Sequence, residues 1–254
     1  MTFLPPDITL LEATLLVVIS AFTSGISAVM SIGGGVAYLA VLASIIPPAA
    51  VIPIHGAVQI GNNASRAWIQ RAHIAWPIAV PFVLGSIAGA ILGGQVVFAL
   101  PEDVLRIVLG GFILYMVWGK MQFRFTSGER ARSVVSAVVG AASTFLTMFI
   151  GATGPFVASS LGHYFADRMV FVGSHALCML FQHTIKVVVF GILGFAFGPW
   201  IPLLALIILS GIFGTVIGSR FLARLPEETF RKALKIILTV LALNLLAAGF
   251  GLYS

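Results

Sequence analysis

His55, Gln59, Asn62 and Arg66 stand at spacings i, i+4, i+7 and i+11 inside an otherwise apolar stretch. At about 100° per residue they fall within a sector of roughly 60°, so on a helix they form one polar stripe. Imidazole, amide and guanidinium groups aligned in this way suit the holding of an anion. Further on, His175, Gln182 and Lys186 repeat the stripe with Met179 in place of the glutamine, and Asn63 and His183 lie to one side. Polar groups facing lipid are costly, and ionisable residues within a membrane usually mark a pathway or a site. The competing reading is that these side chains hydrogen-bond helices together and that Arg66 anchors a helix end.

The elements that would position the stripes are membrane spans. Of 254 residues, 59% are hydrophobic and only 9% charged, and the mean hydropathy is +1.10. A soluble domain carries about 25% charged residues, and a bilayer-spanning helix needs about 20 apolar ones. The expected architecture is therefore an all-α polytopic membrane protein without a soluble domain. Apolar runs cover residues 10–46, 51–69, 74–100 and 104–121, then 133–164, 169–190, 197–223 and 230–252.

The first run in each set is interrupted, at "SIGGGVA" (31–37) and at "IGATGP" (150–155). Glycine costs about 1 kcal/mol relative to alanine in a helix, so three together favour a break. Backbone freed within a bilayer must be buried in protein or line a water-filled cavity. A short helix starting just after the break aims its free amides and positive dipole end at that cavity, which favours an anion. Gly33, Gly34, Gly35, Thr153 and Gly154 thus join the candidate binding residues, with Pro155 suited to a first helical turn. For Gly85, Gly89 and Gly93, and for Ser210, Gly214 and Gly218, close helix packing through small residues is the better reading. On that basis Gly34→Leu is expected to harm transport more than the same change at Gly89.

The order of events recurs. "GSIAGAILGGQVVFALPEDVLRIVL" from Gly85 is echoed by "SGIFGTVIGSRFLARLPEETFRKAL" from Ser210, which predicts a first repeat over 1–121, a cytoplasmic linker over 122–132 and a second repeat over 133–254. Lys and Arg collect on the cytoplasmic side. This assigns the turn with Arg66, Arg71 and His73, the link with Lys120, Arg124, Arg130 and Arg132, and the cluster from Arg220 to Lys235 to the inside, and both termini to the outside. Each glycine-broken run must then enter and leave on one side, as a re-entrant hairpin or as two short crossings, followed by three transmembrane helices. An odd count of further crossings inverts the second half, as in many secondary transporters.

Absences narrow the function. All eight acidic residues lie in turns or near segment ends, which leaves no carboxylate at mid-membrane for a cation and makes a small anion the better cargo. His55 or His175 would carry the proton if transport is proton-coupled. Cys178 is the single cysteine and excludes an internal disulfide. The basic residues form short inter-helix clusters and not a nucleic-acid surface. The start lacks the basic n-region of a signal peptide and is read as mature structure. Nucleophile-elbow, zinc-site and dinucleotide patterns are missing, so neither an enzyme nor a cofactor is expected.

With these residues in hand, the chain resembles the TauE/SafE group of sulfite and organosulfonate exporters. The resemblance covers nearly the whole chain: the glycine cluster, "IPPAAVIPIHGAVQIGNNASRAWI", the following G-x-x-x-G, and "LPEDVLRIVLGGFILY" with its later echo. It implies an inner-membrane permease for small sulfur-containing or related carboxylate anions, and Gly33 to Gly35, His55, Asn62 and Asn63 match the family's first-half pattern. The second half departs from it at "GATGP" and "LGHYF". The reading is a secondary carrier working by alternating access, with export as the expected direction and a homodimer as candidate assembly. Its rivals are a passive anion channel and an intramembrane enzyme or structural subunit.

Overall fold

In the computed structural model, which describes residues 4–5, 8–30, 33–97, 101–119, 128–222 and 227–252, every regular element is helical. In chain order the helices are α1 (Leu10–Met30), α2 (Gly34–Ile45), α3 (Pro48–Ile69), α4 (Trp76–Val97), α5 (Glu102–Trp118), α6 (Glu129–Ile150), α7 (Gly154–Leu161), α8 (Arg168–Ile192), α9 (Ile201–Leu222) and α10 (Glu227–Gly249). Ser31, Ile32, Lys120, Arg124, Arg224 and residues 122–127 of the expected linker lie outside the described residues. From Glu129 on, that linker is already helical: α6 begins there, directly after Gly128, and an acidic residue in a first turn complements the helix dipole.

Five described stretches are long and apolar enough to cross a bilayer: Leu10–Ala28, Trp76–Val96, Glu129–Ile150, Met169–Ile192 and Gly198–Ile217. The chain is a multi-pass membrane protein. At 22 residues α3 is equally long, but its polar stripe lowers its hydropathy, and it can carry that stripe because it is central. It packs against α2, α8 and α9, and its only exposed large apolar side chains are Trp68 and Ile69 at its end. By contrast α4 exposes Val80, Leu84, Ile87 and Ile91 along one flank, as an outer helix should.

Close packing of the outer helices runs through small residues, since lipid gives apolar side chains no reason to associate. A Cβ added at Gly85 or Gly89 would collide with the carbonyl of Ala137 or Ala141, so α4 and α6 touch backbone to backbone and run parallel. Likewise α1 and α9 are parallel: Ser20 Oγ donates to Ile207 O (2.9 Å), Ser210 Oγ donates to Val17 O (2.6 Å), and Gly214 abuts Ala21. The central pair α3 and α8 is antiparallel, with Gly56 against Lys186 near one end and Gln70 against Gly173 near the other. So is α5 with α10, where Gly249 meets Asp103 and Ile107 while Trp118 Nε1 donates to Thr239 Oγ1 (3.0 Å).

Two helices are too short to cross. With 12 and 8 residues, α2 and α7 span about 18 and 12 Å against a hydrocarbon core of about 30 Å. Each folds back on the helix before it. Gly34 lies against Ser27, and Tyr38 Oη donates to Leu16 O (3.4 Å); Thr153 Oγ1 at the start of α7 donates to Ser143 O (3.2 Å). The larger apolar core surrounds α2, with Tyr38, Leu39 and Leu42 buried against Leu16, Ile54 and Leu203.

Candidate functional site

The two helix breaks are real and are built differently. Gly33 has φ 105°, a conformation that glycine adopts without steric cost. Its carbonyl accepts from Ala37 N (2.9 Å), which leaves the amides of Gly34, Gly35 and Val36 without intrahelical partners. The three glycines divide the work. Gly33 makes the turn, Gly34 lets α2 approach α1 so closely that a Cβ would strike Thr23 O and Ser27 Oγ, and Gly35 faces the Gln59 amide. Gly34 and the packing glycine Gly89 both press on neighbouring backbone, so any contrast between them in transport cannot come from steric room alone.

At the second break Gly151 has φ 75° and Pro155 sits in the first turn of α7. Polar side chains of α8 brace it. Gln182 Nε2 donates to Thr153 Oγ1 (2.6 Å) and Ser143 O (3.2 Å), and Lys186 Nζ donates to Gly151 O (2.9 Å). Lys186 has zero exposure and no carboxylate among the described residues within ion-pair distance.

Both breaks open on one cavity of about 40 Å³ between α3 and α8. A single water needs roughly 10–15 Å³ on this measure, so the space suits a few waters or one small oxyanion. Gly33, Gly35 and Val36 line it from one side and Ala152, Gly154 and Pro155 from the other. The stripes close it with His55, Gln59, Asn63 and Arg66 on α3, and His175, Met179 and His183 on α8. No carboxylate is among the described lining residues.

The hydrogen bonds orient the lining. His55 Nε2 lies 3.0 Å from Gly35 O and His175 Nε2 lies 3.1 Å from Gly154 O. A carbonyl only accepts, so each Nε2 carries the proton. The Gln59 amide, 3.3 Å from His55 Nε2, then cannot donate to that nitrogen and remains available to the cavity. His55 Nδ1 and His183 Nδ1 are buried without a partner, and the two rings meet edge to face with centroids 5.7 Å apart. Arg66 donates from Nη2 to Asn63 Oδ1 (2.6 Å) and from Nη1 to Ser27 O (3.5 Å), which fixes the guanidinium at the cavity wall.

The geometry brings together most of the residues singled out from the sequence and shifts the phase of the stripe. Asn63, expected to one side, lines the cavity. Asn62 instead packs toward Gly211 of α9, with Oδ1 unpartnered. Gln182, Thr153 and Lys186 stand one layer behind the lining, and Gly34 is turned toward α1. Ser27, Val36 and Ala152 line the cavity without having been singled out, and Met179 does so at the stripe position where it replaces the glutamine; apolar or isolated residues such as the first three carry no signal until the hairpins are folded.

No curated protein and no solved structure matches the chain. A family model described as sulfite exporter TauE/SafE matches residues 16–245. A match over nearly the whole length, on a multi-pass helical protein with a carboxylate-free cavity between two helix breaks, shows that the chain belongs to the sulfite exporter TauE/SafE family of membrane transporters, which handle sulfite and related sulfur anions.

Proposed function

We propose that the protein carries a small sulfur-containing or carboxylate anion, such as sulfite or a short sulfonate, outward by alternating access, binding it between the two helix breaks. One observation carries this reading. Arg66 lines the cavity and Lys186 stands behind it, yet no described carboxylate balances either charge. A buried charge without a partner is costly, and an arriving anion supplies the missing partner. The amides of Gly35, Val36 and Gly154 and the Gln59 side chain are the candidate hydrogen-bond donors, Asn63 holds Gln59 and Arg66 in place by donating to Gln59 O (2.8 Å) and Oε1 (3.4 Å) and accepting from Arg66, and the N-termini of α2 and α7 add their dipoles. The unpartnered Nδ1 atoms of His55 and His183 are candidate proton acceptors if a proton is co-transported.

The two halves, 1–121 and 133–254, serve as inverted repeats in this mechanism. The support is directional: α3 runs against α8 and α5 against α10, while α1 with α9 and α4 with α6 form equivalent parallel pairs. The positive-inside rule then puts the N-terminal ends of α4, α6 and α8 in the cytoplasm and the chain termini outside. A passive channel fits less well, because the cavity is small and the α2 side is filled by the larger apolar core.

Flux of labelled sulfite into proteoliposomes tests the assignment. The wild type should show saturable uptake with counterflow, and Arg66→Gln should reduce it at least about tenfold, as expected for roughly 1.4 kcal/mol of lost binding. Full flux in that variant, or no sulfite or sulfonate flux in the wild type, would sink the proposal.

A further inference from the structure

Two further cavities stand between the surface and the central one, each sharing wall residues with the next. The outermost, about 610 Å³, opens where α4, α6 and α8 begin, and Arg130, Arg132, Tyr164 and Phe165 line it. A constriction of only about 10 Å³ follows, lined by Phe165, Phe171, Cys178 and His175. The outer cavity and the constriction share Ile78 and Phe165, and the constriction and the central cavity share His175. Resting on the carrier reading above, we propose that this series is the substrate's access route, with Arg130 and Arg132 gathering anions at its mouth and the Phe165 and Phe171 rings as its gate.

Two arginines and two carboxylates line the mouth, so any attraction for an anion is local to the arginines. Neither arginine is ion-paired among the described residues, although Glu129 and Asp167 line the same pocket; Arg132 lies 5.8 Å over the Tyr164 ring. Asp167 caps α8 through Oδ1, accepting from Met169 N (2.6 Å) and Val170 N (3.0 Å), which turns that oxygen toward the helix end. Further in, the Phe165 and Phe171 centroids are 5.7 Å apart, and Phe171 lies 5.6 Å from the His175 ring. Aromatic side chains thus continue from the mouth to the site. Room for about one water is too little for an oxyanion, so the phenyl rings must swing for the substrate to pass. The opposite approach, around α2, is packed with apolar core, so this route is the side on which the site is nearer to opening.

Cys178, the single cysteine, lies inside the gate and reports on it without any transport assay. Sealed vesicles are treated with impermeant 2-sulfonatoethyl methanethiosulfonate on one face or the other. Arg130→Cys in a Cys178→Ala background identifies the face carrying the mouth. Labelling of Cys178 should come from that face only. Phe165→Ala should speed it at least about tenfold, equivalent to about 1.4 kcal/mol off the barrier, and Phe171→Trp should slow it; a misfolded protein would label faster in both. Arg130→Gln with Arg132→Gln should lower the rate for this anionic reagent relative to its trimethylammonium analogue. Equal labelling from both faces, rates indifferent to the two phenylalanine changes, or an unchanged anion-to-cation ratio would overturn the route. Sulfite flux with ungated labelling defeats the route alone, whereas gated labelling without flux of any anion defeats the carrier reading.

Discussion

Replacing Lys186 by methionine separates the stability of the empty protein from its affinity for an anion. The ammonium has zero exposure and makes one hydrogen bond, to Gly151 O at 2.9 Å. Methionine fills a similar volume with flexible apolar atoms. Exchanging a buried, poorly compensated charge for an apolar group of similar size is neutral or stabilising by about 1–4 kcal/mol. The lost hydrogen bond offsets about 1 kcal/mol, and Gly151 O keeps its bond from Thr147 Oγ1 (2.9 Å). The expected net gain is therefore about 0–3 kcal/mol, or up to about 10 °C in midpoint at roughly 2–4 °C per kcal/mol. Binding moves the other way. For an anion taken to sit about 7 Å from the ammonium, at an effective dielectric constant of about 20, the attraction is worth about 2 kcal/mol. Affinity for sulfite should fall roughly 30-fold. Thermal unfolding in detergent with and without sulfite measures both quantities: Lys186→Met should unfold at the wild-type temperature or above it and lose most of the sulfite-induced rise. A midpoint several degrees lower with an intact sulfite response would refute the reasoning.

Two further outcomes follow from the lining. Asn63→Ala should reduce sulfite flux much more than Asn62→Ala, because Asn63 lines the cavity while Asn62 packs toward Gly211; similar flux in the two variants would contradict this division. Gly34→Ala and Gly89→Ala should each cost about 1–3 kcal/mol through overpacking, which purified yield and thermal midpoint would register, and a wild-type midpoint in either would mean that its neighbouring helix shifts freely.

Much of this arrangement is written in residue types. A run of three glycines breaks a helix wherever it occurs, and an i, i+4, i+7 stripe on an apolar helix has to find a polar interior. What the pattern could not supply is helix phase. Asn62 and Asn63 differ by about 100° around α3, and which of them meets the cavity depends on how α3 is rotated between α8 and α9. The local pattern favoured Asn62, because it completes the narrower sector with Arg66, and tertiary packing turned Asn63 inward. Gly34 was obscured for a related reason: three adjacent glycines share no single face, yet on a hairpin one can turn the chain while its neighbour meets the preceding helix.

Arg66 and Lys186 occupy corresponding positions, since the interval from 66 to 186 equals that from 55 to 175, yet their surroundings differ. Arg66 is at the cavity wall, whereas Lys186 is sealed behind the lining on Gly151 O. The hairpins differ in the same sense, with α2 embedded in the larger apolar core and α7 beside the cavities near the starts of α4, α6 and α8. If the halves are inverted repeats, the second state of the carrier follows by exchanging their conformations. Lys186 would then come to the wall as Arg66 withdraws, so one cation meets the anion in each state and the site keeps its charge while access changes sides. That argument also orders the dynamics. Amides of α7 should exchange hydrogen faster than those of α2 in the empty protein, because fewer buried contacts hold them, and bound sulfite should narrow the difference. Equal protection of the two hairpins with and without sulfite would mean that the asymmetry between them plays no part in transport.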